Sequence, residues 1–310
     1  MKAPERRGLA LGFLGVAIFA LTLPMTRLAV GTAEAPLMSG PFLAMGRAAV
    51  AGALSVGFLL ATRAALPRRE DWRPLALTAG GVVFGFPLLT SIAMRYVQAV
   101  HASVIVGALP LATALVGALL HRQRPSAGFW ACAFVGSALV VAFALVHSGG
   151  GLGLRLADLL LLAAVACAAV GYGHGARLSQ RMRAEHVICW ALVIAWPLTL
   201  PLAWWTRPGA ALPASAWWAF AYVAVFSMWI GFFAWYRGLA LGGTVRVSQV
   251  QLAQPFLSML FAVPLLGERL DRVTLAFGLA VIATVFAGRR MPVRASVRNA
   301  PLSPVALEPR

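Results

Sequence analysis

Apolar residues run through this chain in long unbroken stretches, not in stripes. From the N-terminus, ten such stretches cover about residues 9–30, 37–61, 74–94, 99–120, 127–147, 158–178, 187–206, 216–236, 244–265 and 273–289. Each is near the ~20 residues that an α-helix needs to cross a bilayer core. A helix on a soluble domain would show one apolar face, and a membrane β-barrel would show alternating segments of about 10 residues. Neither pattern is present. The loops are short and carry turn formers, as in Leu66-Pro67, Ser148-Gly149-Gly150-Gly151 and Arg207-Pro208-Gly209. The pattern predicts an all-α membrane protein of ten transmembrane helices.

The pattern also repeats. Shifted by 145 positions without a gap, Ser103, Ala108, Pro110, Leu120 and Arg124 fall on Ser248, Ala253, Pro255, Leu265 and Arg269. A weaker echo places Arg27-Leu28 on Arg177-Leu178. Five spans per half is an odd number, so the second half is expected to enter the membrane upside down. The predicted organisation is a five-helix repeat over 1–150, an inverted five-helix repeat over 151–290, and a disordered cytoplasmic tail over 291–310. Two such halves can rock about a midplane site, which gives alternating access.

Composition agrees with a membrane protein. The chain is 61% hydrophobic and 11% charged, where a soluble domain carries roughly 25% charged residues. A net charge of +17 could suggest nucleic acid as a partner. The arginines sit in short loops between apolar runs, however, so the expected partner is the anionic lipid bilayer. With the N-terminus in the cytoplasm, only Arg95, Arg155, Arg207, Arg269 and Arg272 fall in outer loops, and Arg27 and Arg47 lie within spans. The rest of the 26 basic residues fall inside, a strong positive-inside bias. Both termini are therefore expected in the cytoplasm of a bacterial cell, with the chain in its inner membrane. Trp204, Trp205, Trp217 and Trp218 cluster where an outer aromatic belt would lie. The first apolar run exceeds the 7–15 residues of a signal peptide core, and Arg27 precedes the Ala33-Glu34-Ala35 cleavage-like motif. The first span is thus expected to be retained. Cys132, Cys167 and Cys189 have no metal or disulfide spacing and read as packing residues.

Several stretches resemble a known family. They are Pro24-Met25-Thr26-Arg27, Arg47, Ser103 to Pro110-Leu111 leading to His121-Arg122-Gln123-Arg124, and Ser248 to Gln254-Pro255 leading to Leu266-Gly267-Glu268-Arg269-Leu270. Over residues 9–290 the chain resembles the EamA-like, ten-helix branch of the drug/metabolite transporter superfamily. It departs from the pattern at His121-Arg122-Gln123-Arg124, where a Gly-Glu-Arg-like loop is usual, and in lacking a tryptophan-glycine pair in span one. The resemblance implies a secondary carrier of small organic metabolites, often an exporter of amino acids or related compounds. It also implies that spans one to four and six to nine line the cavity while five and ten buttress it.

The residues that could carry this chemistry are few. Arg47 lies well inside span two, where a charge costs roughly 2.5–3.5 kcal/mol on insertion scales. It either meets a substrate anion through its planar fork or bonds carbonyls of a neighbouring helix. Arg27 lies nearer the outer end and can snorkel or reach the cavity. In span nine, Gln251, Gln254 and Ser258 share one face with i, i+3, i+7 spacing. Two glutamines in lipid are costly, so that face should look inward, as a substrate-facing stripe or as interhelical glue. Ser248, Trp229, Tyr96 and His174 complete the candidate substrate contacts, with His101, Phe84, Phe86 and Trp196 as further lining candidates. Each of these also has a packing reading. Pro24, Pro110 and Pro255 are hinge candidates, because each removes a backbone donor within a span; Pro87, Pro197 and Pro264 are further helix interruptions.

Absences narrow the field. None of the nine acidic residues lies deep in a predicted span, so proton coupling would need a histidine or the membrane edge. There is no HExxH, GxSxG or Walker element in a suitable context. No enzyme activity, cofactor, metal or direct ATP drive is expected. A membrane-embedded enzyme on a lipid-linked substrate and a non-transporting regulatory subunit remain the alternatives. The expected partners are a small-molecule substrate and lipid, with the protein a monomer or homodimer.

Overall fold

The computed structural model describes residues 3–120, 124–147, 155–242, 249–290 and 293–294. Nearly all of these residues are helical. The first rod joins α1 (Ala3–Ala20) to α2 (Thr22–Val30), with a break at Leu21. Pro24 has no N–H for the carbonyl of Ala20, which accounts for an interruption at that point. Next comes α3 (Gly40–Ala61), which starts where the Ser39 side chain accepts from Phe42 N at 3.1 Å and Pro41 occupies the first turn. The third rod runs from α4 (Trp72–Thr78) through a π-helical stretch, Ala79–Gly85, into α5 (Phe86–Ala93). The fourth is α6 (Ala99–Val106) and α7 (Leu109–Leu120), interrupted at Gly107-Ala108, just before Pro110. α8 (Ala127–His147) follows.

The remaining helices keep that order. They are α9 (Leu156–Leu178), α10 (Ala184–Trp205), and a rod made of α11 (Ala214–Ala221), a second π-helical stretch (Tyr222–Ile230) and α12 (Gly231–Gly242). A short 3-10 turn, Gln249–Ala253, then leads into α13 (Gln254–Leu266), and α14 (Arg272–Arg290) ends the helical part. Gly267 ends α13 in the left-handed region (φ 67°), and Asp271 caps α14 by accepting from Thr274 N at 2.8 Å. Val293–Arg294 pairs antiparallel with Arg124–Pro125. The rest of the tail expected after 290 lies outside the described residues.

The packing follows the repeat. α3 packs on α10, and α8 on α14, each joining like positions of the two halves. α1 packs along α12, while α9 packs along the Ala79–Gly85 stretch and its flanking helices α4 and α5. Both of these contacts join the first helix of one half to the third of the other. Both are backbone-close. A Cβ on Gly81 would lie 2.3 Å from the Cys167 carbonyl oxygen and 2.7 Å from Gly171 N, and a Cβ on Gly238 would lie 2.7 Å from Gly12 N. Small residues at such crossings let apolar helices associate where lipid offers no hydrophobic drive. The π-helical stretches fall in the third rod of each half, where the extra residue per turn re-aims the side chains on either side.

Among the described residues, six helical stretches are long and apolar enough to cross a membrane: Arg6–Val30, Gly40–Ala61, Arg69–Ala93, Leu156–Leu178, Ala184–Trp205 and Ala214–Gly238. Ala99–Thr113, Gln254–Leu266 and Arg272–Thr284 are shorter apolar helices. Leu60, Phe134, Leu198, Trp205 and Trp218 stand on the outside with most of their surface uncovered, as lipid-facing side chains do. The protein is a multi-pass helical membrane protein.

Candidate functional site

Two adjoining lobes of a narrow cavity lie between the halves. They share Leu23 and Gln254. The larger lobe spans about 420 Å³ of atom-free space, part of it continuous with the outside, but the room it leaves admits little more than one water molecule. The site is therefore nearly closed, and a ligand needs the halves to part.

Arg47 projects from α3 into the larger lobe and is 2% exposed. Its Nη2 donates to Ser227 Oγ at 3.1 Å. Ser227 comes from the second π-helical stretch, and its hydroxyl also bonds Thr22 Oγ1 at 2.8 Å. Nε and Nη1 of Arg47 have no hydrogen-bond partner among the described residues. Tyr172 from α9 lines the same lobe and stands edge-on to Phe232, 6.0 Å away. Phe19, Phe86 and Phe232 supply apolar walls. Each half thus contributes both polar and aromatic groups.

The smaller lobe lies where the two broken rods meet. Ser103, Pro110, Gln251, Pro255 and Ser258 line it, with Gln254 at the junction. Pro110 cannot donate to the carbonyl of Val106, nor Pro255 to that of Gln251, so each helix interruption leaves backbone acceptors at the cavity. Gln251 Nε2, Gln254 Oε1 and Ser258 Oγ have no hydrogen-bond partner among the described residues. The span-nine stripe faces inward as its spacing predicts. Discontinuous helices with free polar groups at the interface of two repeats are how many carriers build a binding site.

The structure brings together Arg47, Gln251, Gln254, Pro110 and Pro255, with Pro24 at the break beside Thr22. Other candidates sit elsewhere. Arg27 is half-buried and donates to the Met94 carbonyl. Tyr96 is 59% exposed in the loop after α5. Trp229 packs against Phe58 and Phe233, at 6.0 and 4.9 Å, and Trp196 donates to the Ala49 carbonyl across the α3–α10 contact. His174 is absent from both linings. Ser248 lies outside the described residues. Thr22, Ser227 and Phe19 had no sequence signal, since lone hydroxyls and phenylalanines in apolar runs are common. Tyr172 was visible only as part of a glycine-rich stretch.

One acidic residue is deeper than expected. α9 starts two residues before its predicted start, which takes Asp158 into a packed first turn, fully buried. Its Oδ1 lies 2.7 Å from His101 Nε2 of α6. Beside it, Glu268 accepts from Ala99 N and Val100 N, both at 2.8 Å. The glutamate of the Gly-Glu-Arg-Leu loop therefore caps a helix of the opposite half, with its charge at the positive end of α6.

These features define a helical, multi-pass membrane protein of two repeats that enclose a polar cavity. The profile of the EamA-like transporter family matches the chain twice, over residues 6–146 and 155–287, and the chain belongs to that family. It is 46% identical over 281 residues to the uncharacterized transporter YdeK of Bacillus subtilis (strain 168), covering 90% of this chain and 96% of that one. One crystal structure superposes with a TM-score of 0.61 at 21% identity, over 91% of this chain and 97% of the other; this likeness concerns the fold. The protein is a membrane transporter.

Proposed function

We propose that the chain is a secondary transporter that exports a small organic metabolite across the bacterial cytoplasmic membrane by alternating access. Two five-helix halves, inverted relative to each other, would supply ten spans with both termini in the cytoplasm. The observation that carries this reading is the cavity itself. It is enclosed by both halves, bordered by interrupted helices, and holds a buried arginine with donors to spare. Arg47 binds the charged group of the substrate, and Gln251 and Gln254 complete its polar contacts. Pro24, Pro110 and Pro255 act as hinges where backbone hydrogen bonding is already interrupted.

The unequal ends favour the export reading. The end bearing Glu268 and His101 is held by short buried polar bonds, whereas the end bearing Glu70 and Asp71 is held by longer contacts from Arg181, which is half exposed. The arginine bias assigns the second end to the cytoplasm. The cytoplasmic side then opens at lower cost, and the cavity loads from within.

Purified protein reconstituted in vesicles tests the reading by counterflow of labelled metabolites. Protein-dependent flux of at least one compound is expected, and Arg47→Ala should lower it about tenfold or more while the protein remains monodisperse. Flux unchanged by Arg47→Ala would remove that residue from binding. Vesicles no more permeable than protein-free controls to any compound in the panel would defeat the transporter reading.

A further inference from the structure

We infer that the cargo is an organic monoanion, a monocarboxylate with an apolar or aromatic body and one hydrogen-bond donor. The inference rests on the transporter reading and names the substrate class of the same cavity.

The charge balance of the cavity is the starting point. Arg47 is almost fully buried, and a guanidinium is charged under any physiological condition. Buried charges are normally paired, because leaving one bare costs several kcal/mol. Among the described residues only a serine hydroxyl bonds Arg47, and Nε and Nη1 are left over. No carboxylate among the described residues lines either lobe. Asp158 is held by His101, Glu268 by the amides of Ala99 and Val100, and Asp271 by Thr274. Glu34, Glu70, Asp71 and Glu185 lie in loops or at helix starts. The missing countercharge is one negative unit, and the two free nitrogens suit the two oxygens of a carboxylate.

Charge also separates the possible cargoes. A cation would enter a cavity that is already positive and has no acid to receive it. A zwitterion brings no net charge, so the site stays positive after binding, and its ammonium finds only hydroxyl and amide acceptors. A monoanion leaves the filled cavity neutral, which low dielectric strongly favours. The remaining walls describe the rest of the molecule. Phe19, Phe86 and Phe232 face an apolar body, and the free amide oxygen of Gln254 awaits a donor.

Compounds with one body and three charges provide the test. 3-(4-Hydroxyphenyl)propionate, tyrosine and tyramine share a phenol and carry charges of −1, 0 and +1. Binding to the full-length protein in nanodiscs is read by calorimetry, and flux is read separately in vesicles. The propionate should bind at least about tenfold tighter than tyrosine, with tyramine weakest. Arg47→Gln should erase that order. If Arg47→Gln does not fold, Arg47→Lys keeps the positive charge and must keep the order. Equal affinities, a preference for tyrosine or tyramine, or binding of none of the three would overturn the inference. The two readings fail separately. Flux of tyrosine or tyramine in preference to the anion leaves a transporter with the wrong cargo class, whereas the predicted binding order without protein-dependent flux leaves the class and removes the transporter.

Discussion

The two ends of this molecule join the same halves by different physics. At one end, Glu268 of the second half caps α6 of the first, and Asp158 of the second half meets His101 of the first. Arg27 and Arg95 brace the neighbouring loops by donating to the carbonyls of Met94 and Met38. These acceptors and carboxylates are largely buried. At the other end, Arg181 reaches across the halves to the exposed Glu70 at 3.5 Å and the buried Asp71 at 3.9 Å, while Arg237 reaches Glu185 at 3.3 Å within the second half; both arginines are about half exposed. Exposed pairs contribute roughly 0–1 kcal/mol, whereas breaking a buried pair costs far more. Equal topology has been given unequal closures. The repeat shows a matching difference in sequence: Gln123 stands where the 145-residue shift would place a partner for Glu268.

The largest effect should come from the buried pair. Asp158→Ala leaves His101 without its carboxylate and should cost about 3–5 kcal/mol, read as a fall in the thermal unfolding midpoint of purified protein. His101→Ala should also destabilise, and the double variant should cost clearly less than the sum. Additive effects, or a loss below about 1 kcal/mol for Asp158→Ala, would make this end no stronger than the other.

Packing between the halves should respond more evenly than the closures. Gly81→Ala drives a Cβ toward the Cys167 carbonyl, and Gly238→Ala drives one toward Gly12 N. Overpacking of this kind costs about 1–3 kcal/mol, and the two variants should lose similar amounts of stability. A large difference would show that the frame, and not only the closures, is asymmetric.

Much of this frame was legible in the chain. Apolar run lengths located the rods, and the 145-residue shift anticipated the paired interruptions at Pro110 and Pro255, because a missing donor leaves a mark in sequence. The Gln251, Gln254 and Ser258 face was readable for the same reason: helical spacing fixes which side chains share a side. The π-helical stretches were not readable, since neither has a distinctive residue pattern. The partner of Arg47 was hidden because Ser227 lies 180 residues away in the chain. The Asp158–His101 pair was missed because a shift of half a turn at a helix start moves a carboxylate from an edge to a buried position. Tyr96 and Trp229 show the converse. An aromatic residue near a span end has no intrinsic direction, and lipid, loop and cavity all accept it.

Glu268→Gln should act at an intermediate level. The amide still offers one acceptor to the α6 amides but loses the charge and the second oxygen, so about 1–2 kcal/mol should be lost. Cysteine accessibility reports the closure directly. In the proposed orientation, a cysteine placed at Ser103 should react faster with an impermeant outer reagent in the Glu268→Gln background. An unchanged rate would mean that the cap stabilises α6 without holding the end shut.

The smallest effect belongs to the opposite end. Arg181→Ala removes a half-exposed guanidinium that reaches the exposed Glu70 at 3.5 Å and, at 3.9 Å, the buried Asp71; because the arginine is open to water and the Asp71 contact is long, stability should change by only about 1 kcal/mol. What little the contact adds should fall as salt is raised, because mobile ions screen charges open to water more than buried ones. Function should be more sensitive than stability here. In the proposed orientation, weakening the Glu70–Arg181 contact favours the state open to the cytoplasm, and the same Ser103→Cys probe should become less reactive from outside. A destabilisation as large as that of Asp158→Ala would instead place the stronger closure at the cytoplasmic end. The cavity would then open most readily toward the exterior, and the argument for export would reverse.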